Sequence, residues 1–258
     1  MPLIIASSGK GGVGKTTVCA LLVRYFVETG RKPVLAVDAD PNSNFGDLLG
    51  VKPEKRISDL REEAKDPSNI PRAVPKSRMI EAWLNEIVQE GNGFDLLTMG
   101  RSEGPGCYCY VNDLLRHFLS RLCKSYAVVV IDNEAGMEHL SRLTTDNVDC
   151  LLVVSEPTVP SVRTSERILE LSHKLPIKVG RKALIFNKAK NSSVPEVVQC
   201  QAEGLAVSAT LELAYREQLE ELGERAGSIF ELTGRLEDDS QLNRIALWCL
   251  SSDEQPGH

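Results

Sequence analysis

The stretch SSGKGGVGKTT, Ser7 to Thr17, packs four glycines and two lysines into a short span. Glycine lets the backbone turn tightly with its N–H groups facing inward, and lysine adds positive charge, so the stretch is suited to holding an anion. Gly9, Gly14, Lys15 and Thr16 fit the spacing G-x-x-x-x-G-K-[ST]. In that pattern the backbone from Gly9 through Gly11, Gly12, Val13 and Gly14 cradles phosphate oxygens, and the N-terminus of the following helix supplies its positive end. Lys15 reaches the terminal phosphates, the Thr16 hydroxyl ligates Mg²⁺, and Thr17 completes the binding turn. The anion so described is a nucleoside triphosphate.

Two further sets of residues carry chemistry. Asp38, Asp40 and Asp132 lie at the carboxyl ends of apolar runs, where ligands bind in open α/β sheets. Cys107 and Cys109 form a C-x-C pair in GPGCYCYVNDLL, directly after a Gly-Pro-Gly turn. A disulfide between positions two apart would be strained, and two thiolates fill only half of a four-coordinate metal site. Two copies of the segment about a two-fold axis would supply four sulfurs, a set that suits Zn²⁺ or Ni²⁺. His139 lies close enough to the Asp132 segment to be weighed as a further ligand, although a lone histidine is more often structural. Cys19, Cys123, Cys150 and Cys249 fall within apolar stripes or runs and read as packing residues, as do Trp83 and Trp248; Cys200 is undecided.

Short β-branched runs at 3–6, 34–37, 94–97, 127–131, 151–154, 183–186 and 205–207 must position these groups. Near-continuous apolar strands suit a parallel sheet covered on both faces. Helical periodicity at 16–29, 110–123, 161–173, 212–224 and 240–250 supplies the covering layers. The alternation predicts an α/β fold, a doubly wound and mostly parallel sheet flanked by helices, in one domain over 1–258. The charge-rich piece 52–72 reads as a solvated excursion.

The formal net charge of -6 argues against nucleic acid as a partner, because broad binding of that kind needs a basic face. No apolar run is long enough to span a bilayer and no secretory leader is visible, so no membrane role and a cytoplasmic location are expected. Seven scattered cysteines, an odd number, fit a reducing compartment.

The form KGGVGKTT resembles the deviant Walker A loop of the MinD/ParA/nitrogenase-iron-protein class of P-loop ATPases. The resemblance implies ATP as the nucleotide and a homodimer in which Lys10 reaches across to the partner's nucleotide. VLAVDADPNSN, 34–44, resembles the switch I segment of the class. That similarity implies a water-mediated role at Mg²⁺ for Asp38 and positioning of the attacking water for Asp40. AVVVIDNEAG, 127–136, places Asp132 as the Walker B carboxylate, and Asn187, ending ALIFN, matches the asparagine that recognises adenine. With GCYC and IDNEAGMEHLSR in order, the chain is similar to the CooC family of nickel-insertion accessory ATPases. Membership would imply nickel bound at the paired cysteines of a dimer and its ATP-governed delivery to an apo nickel enzyme, carbon monoxide dehydrogenase or acetyl-CoA synthase. VSATLEL, 207–213, departs from the proline-containing loop expected near adenine. A nitrogenase-type role would need a cluster cysteine in NEAGMEHLSR, which has none. A MinD-like role would call for a basic amphipathic C-terminus in place of LWCLSSDEQPGH. A ParA/MinD-like partitioning or positioning ATPase is the alternative.

Overall fold

The computed structural model describes residues 1–42, 44–63, 76–100, 118–134, 147–174, 177–190 and 194–251. Among them β1 (Leu3–Gly9), β2 (Val34–Ala39), β3 (Gln89–Glu90), β4 (Asp95–Thr98), β5 (Val128–Asn133), β6 (Asn147–Ser155), β7 (Lys178–Ala189) and β8 (Ala209–Ala214) form one sheet in the order β3-β4-β2-β5-β1-β6-β7-β8. All pairings are parallel except β3 with β4. This is the doubly wound α/β architecture that the alternation of apolar runs predicts.

Helices cover both faces of the central strands, which are apolar along most of their length: all six residues of β5 are buried, and Val128–Ile131 are apolar before Asp132 and Asn133 close the strand at its carboxyl end. One face packs against α1 (Lys15–Glu28), in a core that includes Ile5, Ala36, Leu96 and Val130. The short α2 (Phe45–Leu49) joins the α1 side, and the opposite face, with Ala6, Val37, Leu97 and Ile131, packs against α3 (Ile57–Glu63), α4 (Lys76–Ile87), α5 (Val159–Ser172) and α6 (Glu196–Glu203). The C-terminal helices α7 (Glu217–Glu224) and α8 (Ser240–Leu250) return to the α1 side. Thr158 caps α5 by accepting from the Ser161 N–H, and Asp239 caps α8 by accepting from the N–H groups of Gln241 and Leu242.

The structure corrects three expectations. The strand predicted at 205–207 is instead β8, and the helix predicted from 212 begins at Glu217 as α7. An edge strand is covered on one side only, so Leu211 and Leu213 are buried while their neighbours are not; the signal was alternation, not an apolar run. The piece at 52–72 is not wholly a solvated excursion, because Ile57 and Leu60 of α3 are buried in the same core as Leu84 and Ile87 of α4. Of the helix predicted at 110–123, residues 118–123 are helical and the rest lie outside the described residues.

Candidate functional site

The glycine-rich loop joins β1 to α1 at the carboxyl edge of the sheet. At Gly9 the chain passes so close to the Val154 carbonyl of β6 that a Cβ would collide with it. Gly12 and Gly14 have φ of 82 and 91, a left-handed region that glycine adopts at no steric cost. A Cβ at Gly14 would also strike the Asn187 amide. Lys15, only 7% exposed, turns back so that its Nζ donates to the Lys10 carbonyl at 3.3 Å, while the Lys10 residue itself is exposed.

The end of β7 braces the loop. Asn187 Nδ2 donates to the Val13 carbonyl at 2.8 Å, and Lys188 Nζ donates to the Gly12 carbonyl at 2.7 Å while pairing with Glu156 at 3.0 Å. In a trans peptide the carbonyl of one residue and the N–H of the next point in opposite directions. Fixing the Gly12 and Val13 carbonyls toward β7 therefore aims the N–H groups of Val13 and Gly14 away from it, into the loop. A pocket of inward N–H groups is an anion-binding arrangement.

Next to the loop lie the carboxylates. Asp38 of β2 and Asp132 of β5 are register partners, 0% and 1% exposed. Asp38 accepts from the Asp40 and Phe45 N–H groups, each at 3.2 Å, and Asp132 accepts from the Ser7 hydroxyl at 3.1 Å. Burial, then repulsion from Asp132, pushes the Asp38 carboxyl up to about 7. Burial pushes Asp132 up to about 6, against hydrogen bonds from Thr16 and Ser7 and the charge of Lys15. Two buried carboxyls side by side resist double ionisation, and a divalent cation relieves that resistance. Two carboxylates and the Thr16 hydroxyl are hard oxygen donors, and they fit Mg²⁺. Asp40, half-buried, accepts from the Asn42 N–H at 2.8 Å.

A cleft of about 620 Å³ runs along Gly12, Gly14, Lys15, Thr16 and Asp40. At Thr17, Leu219 and Gly223 it meets a second cavity of about 470 Å³, lined by Asn187, Lys188, Tyr215, Arg216 and Glu220. The structure thus brings together Gly9 to Thr17, Asp38, Asp40, Asp132 and Asn187. Sequence reasoning missed Lys188, Tyr215 and Arg216. Lys188 adjoins Asn187, and Tyr215 and Arg216 follow VSATLEL after one residue, Ala214, close to where a proline-containing loop was expected. Arg216 is held by an ion pair with Asp239, and the Tyr215 hydroxyl donates to Glu220. Cys107, Cys109 and His139 lie outside the described residues. Cys19, Cys150 and Cys249 are buried packing residues and Cys200 is exposed. Among the described residues no helix is long and apolar enough to cross a membrane.

Comparison with known proteins extends the geometry. The profile of the CobQ/CobB/MinD/ParA nucleotide-binding domain matches residues 4–229. An uncharacterised ATP-binding protein of Methanocaldococcus jannaschii is 38% identical over 95% of this chain and 97% of its own. The carbon monoxide dehydrogenase accessory protein CooC of Rhodospirillum rubrum is 35% identical over 67% of this chain and 70% of its own. Among solved structures, a chain of the MinC:MinD cell division protein complex of Aquifex aeolicus superposes with a TM-score of 0.70 at 20% identity, covering 100% of this chain and 99% of that one.

Proposed function

Because the chain belongs to the CobQ/CobB/MinD/ParA nucleotide-binding domain family, we propose that it is an ATP-hydrolysing metallochaperone. It works as a homodimer that holds nickel at paired cysteines and supplies it to an apo nickel enzyme, carbon monoxide dehydrogenase or acetyl-CoA synthase. The observation that carries the ATPase half is the buried Asp38–Asp132 pair set beside Thr16 and the glycine-rich loop. The whole of 1–258 serves as one ATPase domain. ATP lies along the cleft with its phosphates in the loop and its base toward Asn187, Tyr215 and Arg216. Mg²⁺, when bound, neutralises phosphate charge, and Thr16, Asp132 and, through water, Asp38 would hold it. Lys15 binds the terminal phosphates and Asp40 orients the attacking water. Lys10, exposed at the mouth of the loop, is available to a second copy.

The cargo half of the reading rests on Cys107 and Cys109 and on the likeness to the accessory protein of Rhodospirillum rubrum. Likeness to septum site-determining MinD proteins, at 25–27% identity, favours the second reading, a partitioning or positioning ATPase. Equilibrium dialysis against Ni²⁺ and Zn²⁺, with and without ATP, separates them. The metallochaperone binds one metal per dimer and loses tight binding in Cys107→Ala or Cys109→Ala, because two sulfurs then remain. Thiolates compete with protons, so the affinity falls as pH is lowered. Wild-type Ni²⁺ binding in the double variant, or one metal per protomer, returns the second reading to first place.

A further inference from the structure

Four polar side chains line up across the sheet at the carboxyl ends of neighbouring strands. Thr98 of β4 is the register partner of Asp38, and Asp38 is the partner of Asp132. Ser7 of β1 donates to Asp132. Partners in a parallel ladder project to the same face, and residues two apart share it. Two residues earlier the same row reads Leu96, Ala36, Val130 and Ile5, all in the core beneath α1. The row Thr98–Asp38–Asp132–Ser7 is therefore the polar continuation of an apolar face.

Asp38, Asp132 and Ser7 all have hydrogen-bond partners. Among the described residues the Thr98 hydroxyl, on a residue 1% exposed, has none. A buried hydroxyl without a partner is destabilising, and valine would fill the same volume with an equal liking for strands. Packing alone gives no reason for the hydroxyl. The neighbouring carboxylate does, because a hydroxyl donates best to an ionised acceptor.

From this row we infer that Thr98 is a positioning residue for the cation site, its hydroxyl donating to ionised Asp38 as the Ser7 hydroxyl donates to Asp132. The two hydroxyls stand at opposite ends of the row, so that with both donating the carboxylate pair is oriented from either side. Among the described residues Asp40, Lys15, Thr16 and the buried Cys19 thiol also act on the pair. The inference rests on the reading of this cleft as a Mg²⁺-nucleotide site.

The test uses Thr98→Val and Thr98→Ser in the full chain, with N-methylanthraniloyl-ADP fluorescence as the probe. Three quantities are measured: nucleotide affinity in EDTA, the Mg²⁺ concentration that gives half the Mg²⁺-dependent tightening, and the thermal midpoint without nucleotide. Thr98→Val is expected to melt no lower than wild type and to bind nucleotide normally in EDTA. It should need about tenfold more Mg²⁺, the loss expected for a hydrogen bond to a charged group. Thr98→Ser restores the wild-type Mg²⁺ requirement. A wild-type requirement in Thr98→Val overturns the inference, as does equal weakening with and without Mg²⁺ or a serine variant that behaves as valine does. Should valine prevent folding, Thr98→Ala is compared with Thr98→Ser by the same criterion. A wild-type protein indifferent to Mg²⁺ removes the underlying reading of the site, and the role of Thr98 with it.

Discussion

Asp38 and Asp132 are the residues at which burial and chemistry conflict most directly. Their carboxyls are pushed to about 7 and about 6 by burial, with mutual repulsion adding to the rise at Asp38. In the unfolded chain both return to about 4. Folding without a cation thus favours the protonated forms. The contribution of the pair to stability is fully present below about pH 4, falls as pH rises from about 4 to about 7, and is absent above that window. In EDTA the thermal midpoint should decline between pH 5 and pH 8, and Asp38→Asn, which cannot ionise, should decline less steeply. Mg²⁺-ADP should restore more stability at pH 8 than at pH 5, because only the ionised pair attracts the cation. A wild-type midpoint that rises over this window relative to Asp38→Asn would refute the assignment. Ser7 and Thr16 temper the conflict at Asp132, where their hydrogen bonds oppose the effect of burial.

At the scale of elements, the loop depends on β7 as much as on its own glycines. β7 runs to Ala189 and has a register shift against β8 between Phe186 and Ala189. Lys188, in this stretch, adopts φ 59, a left-handed conformation uncommon for a residue with a Cβ. The irregularity lets two consecutive residues, Asn187 and Lys188, both reach the loop, to the Val13 and Gly12 carbonyls. In a regular strand their side chains would point to opposite faces. Asn187→Ala removes the donor to the Val13 carbonyl and leaves a buried acceptor unpaired, a loss of about 1–3 kcal/mol. The expected result is a thermal midpoint lower by several degrees, together with weaker nucleotide binding, since the N–H of Gly14 is no longer held in place. Calorimetric melting and fluorescent-nucleotide titration measure the two effects. Normal stability with normal binding would show that β7 merely adjoins the loop.

For the whole molecule the question is whether one copy of the chain makes a complete site. Lys15 is buried and hydrogen-bonded within its own loop, while Lys10 is exposed. Two lysines five residues apart in one loop therefore occupy different environments. If Lys10 serves a second copy, ATP favours the dimer. Lys10→Ala should then bind ATP as a monomer with wild-type affinity yet fail to dimerise or to hydrolyse it. Sedimentation in ATP and in ADP measures the association, and a wild-type monomer under both conditions would rule out a trans-acting Lys10. Should the dimer also carry the metal, ATP and metal must change each other's affinity by the same factor.

The sequence by itself determined the phosphate loop, the three aspartates and the parallel sheet that carries them. Each is written in adjacent residues: a fixed glycine–lysine spacing, or an apolar run closed by a carboxylate. The tertiary structure alone decided that Asp38 and Asp132, 94 positions apart by residue number, are register partners with raised carboxyl pKa values, and that Thr98 and Ser7 stand at the ends of their row. It also placed Lys188, Tyr215 and Arg216 in the cavity that adjoins the cleft and moved the last strand to Ala209–Ala214. Strand order is set by which apolar faces pack under which helices. Neighbours across a ladder are distant along the chain, so no local pattern of residues records that they meet.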